Sequence, residues 1–232
     1  MVFGSVAREY ARYRPGYPPE AVLWAVGRGS GARVLDLGAG TGKLTAAVVA
    51  AGHEAIAVEP DSAMLAELAS EVPTADAVAG SAEDIPLPDG SVDVVLAGQV
   101  LHWVDPDRAY PEISRVLRPG GVVAGLWNSD ELRWIERLGG TDGTDEEFDW
   151  RGFFPTGLFT DESHRSFANP RPHTVDSLMS TIATHSRFLV LDDAEREKRL
   201  SSVRSALIRG LRDPDGEFEV RSRTYVIRAT KR

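Results

Sequence analysis

On its sequence the chain is an α/β protein, with a mostly parallel sheet covered by helices on both faces. Three observations predict this. Short apolar runs recur through the first 130 residues, at Val34–Leu37, Ala55–Val58, Ala77–Ala79, Val92–Ala97 and Val122–Trp127. They are continuous rather than alternating, the pattern of strands buried on both sides. Longer amphipathic segments separate them, and that βαβα rhythm builds a parallel sheet. A length of 232 residues, 42% hydrophobic and 26% charged, suits one soluble domain, 1–232, large enough to remove ~70% of its unfolded surface from water.

Each element carries its own local signals. Residues 1–18, "MVFGSVAREYARYRPGYP", hold charges and prolines where a secretory leader needs an apolar centre. Pro19 occupies a first helical position and opens "PEAVLWAVGR". After the first strand, Thr41 or Gly42 starts "KLTAAVVAAG", which Gly52 ends. Asp61 caps "SAMLAELASEV". Asp105 or Asp107 caps "RAYPEISRVLRPGG", a helix stopped by Pro119 and two glycines. Residues 128–176 differ: rich in glycine, threonine and acids, with weak periodicity, they read as a loop or insert. Asp192 or Asp193 then caps "AEREKRLSSVRSALIRGL", where Leu200, Val203, Leu207 and Leu211 make one apolar stripe on an otherwise solvated helix. Finally "GEFEVRSRTYVIRATKR" alternates like a half-exposed last strand.

Composition narrows function. A formal charge of −9 argues against a general nucleic-acid partner, which needs a basic surface. Without cysteine there is no disulfide, thiolate metal site or cysteine nucleophile. His53, His164, His173 and His185 show no metal-ligand spacing, so no metal is expected. No apolar run approaches the ~20 residues of a membrane span, and a cytoplasmic protein without membrane partners is the expectation.

The stretch "VLDLGAGTG", residues 34–42, clears side chains from a turn directly after the first strand. A phosphate-binding P-loop would need glycine at Leu37 and a hydroxyl at Leu44, so that reading fails. A dinucleotide fingerprint would need a third glycine at Lys43, where close helix–strand packing demands it. The spacing is G-x-G-x-G instead, although a nicotinamide-dependent oxidoreductase stays open on these residues. Glu59, ending "AIAVE", stands where a carboxylate can accept hydrogen bonds from both ribose hydroxyls of an adenosine.

Asp36-Leu37-Gly38-Ala39-Gly40-Thr41-Gly42 matches the first motif of the class I S-adenosylmethionine-dependent methyltransferases, and the chain resembles that family. "GSAEDIPLPDGSVDVV" and "LRPGGVV" match further hallmarks of its type 11 group. The resemblance covers residues 1 to about 127 well. It implies a Rossmann-like sheet of seven strands, the last pair antiparallel, and S-adenosylmethionine as cofactor with S-adenosylhomocysteine as product. In such enzymes the donor lies along bare backbone at Gly38 and Gly40, and the stretch around Ala82 recognises adenine. This chain has Ser81 where an acid is usual, which leaves that contact among Ser81, Glu83 and Asp84.

Methyl transfer asks mainly that nucleophile and methyl group be aligned. "AGQVLHWVDP" leaves the fourth strand at the carboxyl edge, where open α/β sheets bind ligands. Gln99 is a candidate contact to the methionine portion. His102 is a candidate general base, with helix capping or loop bonding as its alternative role. The segment 1–18 resembles the lid of the trans-aconitate methyltransferase-like group, as does the "HW" pair. Arg14 could pair with a carboxylate and Tyr17 could offer an aromatic face, or the segment could simply pack as a helix. Trp127, Trp134, Trp150, Phe153 and Phe154 line the substrate side or pack the core, with 128–176 as the variable substrate-side region. The expected activity is methylation of a small molecule, on oxygen. Its second rival is a non-catalytic protein that keeps the pocket.

Overall fold

The computed structural model describes residues 16–27, 29–130, 152–183, 188 and 191–232. Helix α1 (Pro19–Val26) leads into strand β1 (Arg33–Leu37), α2 (Lys43–Ala50), β2 (Glu54–Glu59), α3 (Ser62–Glu71), β3 (Asp76–Ala79) and β4 (Val92–Gly98). There follow α4 (Pro106–Val116), β5 (Leu117–Asp130), β6 (Phe159–Ala168), β7 (Arg171–His173), α5 (Val175–Ala183), α6 (Asp193–Gly210), β8 (Phe218–Val220) and β9 (Ser222–Lys231). Seven strands form the main sheet, ordered β3-β2-β1-β4-β5-β9-β6. The first five run parallel, while β9 pairs antiparallel with both β5 and β6. The seven-stranded, mostly parallel expectation holds.

Neighbouring residues of β1 serve opposite faces, which explains the unbroken apolar run. Leu35 and Leu37 join Ile56, Val95 and Ile113 in one core. Val34 packs on the other face with Val22, Val48, Val94 and Val226. The expected caps are present: Asp61 accepts from the Ala63 and Met64 amides, Asp105 from Asp107, and Asp192 from Glu195. Helices α5 and α6 close a third, smaller core with β8 through Leu178, Val203, Leu207 and Val220.

Three expectations are corrected. Helix α4 ends at Val116, not at Pro119, and Leu117 is already extended at ψ 138°. Pro119 excludes helix from the residue before it, and β5, entered early, carries the extra residues between Leu117, which pairs with Val92, and Val122, which pairs with Val94. The loop expected over 128–176 instead contains the end of β5, all of β6 and β7; residues 131–151 lie outside the described part. The final segment alternates as expected but is not one strand. It splits into β8, paired with β7, and β9, an interior strand between β5 and β6.

Candidate functional site

The site begins where β1 stops. The Gly38 and Ala39 amides donate to Val58 O at 2.8 and 3.1 Å, so the turn rides on the end of β2. Gly38 has φ +67°, and a Cβ there would meet Val100 Cγ2 at 2.5 Å. Gly40, at φ +58°, differs: its nearest protein neighbour would be Met64 Sδ at 3.9 Å. Bare backbone is expected at both glycines, but Val100 covers the Cα of Gly38 and only Gly40 is open.

Five of the expected residues, Tyr17, Asp36, Gly38, Gly40 and Gln99, line one pocket that opens to solvent. Asp36 is buried and accepts a 2.6 Å hydrogen bond from Thr45 Oγ1. Burial pushes its carboxyl up to about 7; the Thr45 hydrogen bonds oppose that rise and the charge of Glu59 adds to it. Glu59 is buried at the end of β2. Its Oε2 accepts from the Gly40 amide and its Oε1 from the Asp61 amide, both at 2.9 Å. Burial raises its pKa and these amide bonds hold it back. Each carboxylate oxygen keeps a second lone pair for a ligand.

Gln99 follows β4 with φ +59°, a left-handed conformation costing a non-glycine residue ~1–2 kcal/mol. Its amide donates to Leu126 O and its Nε2 to Asn128 O, each at 2.9 Å, and these bonds hold the strained turn. The Tyr17 hydroxyl lies directly over Gly98, where a Cβ would come within 2.4 Å of it.

Glu59, which holds the Gly40 turn from behind, and Ser81, Ala82, Glu83 and His102 are not in the pocket wall. Ser81 and Ala82 follow β3 at the same edge, because Glu59 and Ala79 pair in register. Glu83 turns toward α4, where Oε1 accepts from the Asp105 amide at 3.0 Å. Burial opposes its charge, but this bond and one from Ser81 keep its carboxyl below the usual range. Asp84 is exposed. His102 is exposed in the turn after β4 with its ring 5.1 Å from that of Trp103, and desolvation lowers its pKa. Arg14 falls outside the described residues, as do Trp134, Trp150 and His185. Trp127 and Phe153 meet edge-on at 5.3 Å, and Phe154 is buried against Phe159, so these aromatics pack the core.

Sequence reasoning missed Thr41, Asn128 and Arg115 as site residues. Thr41 lines the pocket, and its buried Oγ1 has no hydrogen-bond partner among the described residues. Asn128 sits toward the carboxyl end of β5, the edge where ligands bind, and that position was its available signal. Arg115 holds the loop after β3 from a distance, donating to Ile85 O, Leu87 O, Asp89 and Glu112 at 2.7–2.8 Å. Glu112 in turn accepts from the Ile85 amide.

Comparison with known proteins agrees with this architecture. Residues 35–125 match a family model described as a methyltransferase domain. An uncharacterized methyltransferase of Mycobacterium tuberculosis is 40% identical over 212 residues, covering 80% of this chain and 87% of that one. The malonyl-[acyl-carrier protein] O-methyltransferase of Methylococcus capsulatus is 46% identical over 99 residues, 40% of this chain and 36% of that protein. A solved structure from Anaeromyxobacter dehalogenans, assigned there to the type II methyltransferases, shares the fold with a TM-score of 0.69 at 24% identity. That match covers 94% of this chain and 98% of the other. The oxidoreductase alternative is not favoured.

Proposed function

The chain belongs to the class I S-adenosylmethionine-dependent methyltransferases, and from that premise we propose that the glycine-turn pocket takes S-adenosylmethionine for methylation of a small-molecule acceptor on oxygen. One observation carries the reading. Asp36 and Glu59 are buried beside the open Gly40 turn, both with raised pKa, and neither has an ion pair among the described residues. Buried negative charge without a partner is costly, and a cationic ligand relieves it. When bound, S-adenosylmethionine supplies a methyl carbon activated by an adjacent positive sulfur.

The chain's own residues divide the work of holding this cofactor. Glu59 offers its remaining lone pairs to ribose hydroxyls, and the unpartnered Thr41 Oγ1 offers one more polar contact. Asp36 and Gln99 face the amino-acid portion. Tyr17 closes the wall over Gly98. Ser81 and Ala82 meet adenine at the β3 edge, while Glu83 braces the loop through Asp105. Arg14 contributes a cation to cofactor or substrate.

One fact supports oxygen as acceptor: the Methylococcus relative is named an O-methyltransferase. An acceptor oxygen that is already ionised needs no base. His102, mostly neutral near pH 7 because its pKa is lowered, remains available beside the pocket to orient or deprotonate a weaker acid. No helix among the described residues is long and apolar enough to cross a membrane; a cytoplasmic enzyme without nucleic-acid or membrane partners completes the proposal.

Titration calorimetry with the methyl donor and with adenosylhomocysteine tests the pocket, and adenosylhomocysteine release over a panel of carboxylic and hydroxylic acceptors tests the chemistry. Binding of both nucleosides, with turnover on an oxygen acid, is expected. A folded protein that gives heat with neither refutes the cofactor assignment; turnover confined to amines refutes the oxygen assignment.

A further inference from the structure

We infer that Asn128 and Asn169, which hold the Gly16 carbonyl, and Thr224, which holds both of them, are positioning residues that fix Tyr17 in the pocket wall and thereby set cofactor affinity. The inference rests on the reading that this pocket holds the cofactor. Gly16 O accepts from Asn128 Nδ2 at 3.2 Å and from Asn169 Nδ2 at 3.1 Å. Thr224, fully buried, donates to Asn128 Oδ1 at 2.6 Å and lies 3.2 Å from Asn169 Nδ2. Asn169 Nδ2 also reaches Asn128 Oδ1 at 3.3 Å. Two side-chain amides thus converge on one backbone oxygen, and Thr224 bonds to both of them.

Strand pairing fixes where they stand. Asn128 of β5 and Thr224 of β9 are register partners, and Thr224 pairs on its other side with Phe167 of β6. Asn169 comes just after β6, and its amide is tied to Ser222 O at 2.8 Å. None of the three belongs to the segment that contains Gly16; the two bonds to it span 112 and 153 residues. The next residue in the chain is Tyr17, whose hydroxyl rests on Gly98. Asn128 also accepts from Gln99 Nε2 through its carbonyl, so one residue holds both the Tyr17 anchor and the strained Gln99 turn.

An apolar residue at the buried Thr224 position would pack without needing partners. A connected polar cluster there defines one geometry, and it fixes the backbone at Gly16, next to Tyr17 of the pocket wall. Asn128 itself lines the pocket, whereas Asn169 and Thr224 do not and act through Tyr17.

The test is a double-mutant cycle read by adenosylhomocysteine calorimetry, with Asn169→Asp and Thr224→Val each made in wild-type and Tyr17→Ala backgrounds. Each substitution should weaken binding roughly tenfold in the wild-type background, the worth of about one lost buried hydrogen bond. In the Tyr17→Ala background the loss should shrink to roughly twofold, because the residue through which the network acts is gone. Thr224→Ser, which keeps the hydroxyl, should restore wild-type affinity. Hydrogen exchange at the Gly16 and Tyr17 amides of the ligand-free protein should quicken in Asn169→Asp. Equal losses in both backgrounds, unchanged affinity or unchanged exchange overturns the inference alone. A wild-type protein silent to adenosylhomocysteine overturns the cofactor reading, and this inference with it.

Discussion

The Gly40 amide donates to Glu59 Oε2 at 2.9 Å, tying the turn after β1 to the acid that ends β2. The other oxygen of the same carboxylate holds the Asp61 amide, and Asp61 caps α3. One side chain therefore organises the floor of the pocket before any ligand arrives.

Replacing Glu59 by alanine should accordingly have two effects. Two part-buried amides lose their acceptor, which should cost about 2 kcal/mol of stability. Adenosylhomocysteine affinity should fall beyond that cost, because the ribose acceptors go too. Denaturant unfolding beside calorimetry separates the effects; full affinity in a destabilised variant would leave Glu59 a purely structural part.

The two glycines should part company on mutation. Alanine at either position must take a left-handed φ, at ~1–2 kcal/mol. At position 38 the new methyl also collides with Val100, whereas at position 40 it enters open space. Gly38→Ala should therefore lower the melting temperature more, with Val100→Ala restoring part of it. Gly40→Ala should lose cofactor binding with the smaller thermal shift. Equal thermal losses contradict the contrast.

Asp36 gives stability a definite pH slope. Its folded pKa, about 7, lies above the ordinary carboxyl value of 3.8, so the native state holds a proton that the unfolded chain has released. Between these values stability falls as pH rises, and above about 7 the full penalty applies. Asp36→Asn should gain on wild type more at about pH 8 than at about pH 5, read by thermal unfolding. Affinity for the cationic methyl donor should climb through the same interval in wild type, since the ligand favours the carboxylate, and should stay flat in the variant. A climb that survives in Asp36→Asn places the titrating group elsewhere.

His102→Ala should lower kcat by about 100-fold or more if the imidazole moves a proton, with cofactor affinity changed less than about twofold. A normal rate on an oxygen acceptor assigns His102 to the turn instead.

Much of this fold was legible because its signals are local. The five parallel strands announce themselves through unbroken apolar runs, and Asp61, Asp105 and Asp192 mark helix starts through capping chemistry. Glu59 was legible by its place after the glycine turn. Strand β6 was not: Asp161, Glu162 and Arg165 are polar residues on a bulged edge, and only pairing with a strand about sixty positions later makes them β. The convergence of Asn128, Asn169 and Thr224 was hidden for the same reason, since each is an ordinary polar residue until the sheet assembles. Arg115 likewise looks like a surface helix charge until the loop after β3 folds onto it.

The interior position of β9 has a consequence for biogenesis. As the polypeptide leaves the ribosome, β5 emerges with one flank unpaired, and β6 has no neighbour in the main sheet until the last strand is made. Through that interval an apolar ribbon edge is open to annealing with other nascent chains. Premature termination inside β9 would thus strand two elements at once, and aggregation rather than a shortened active protein is the expected fate of such fragments.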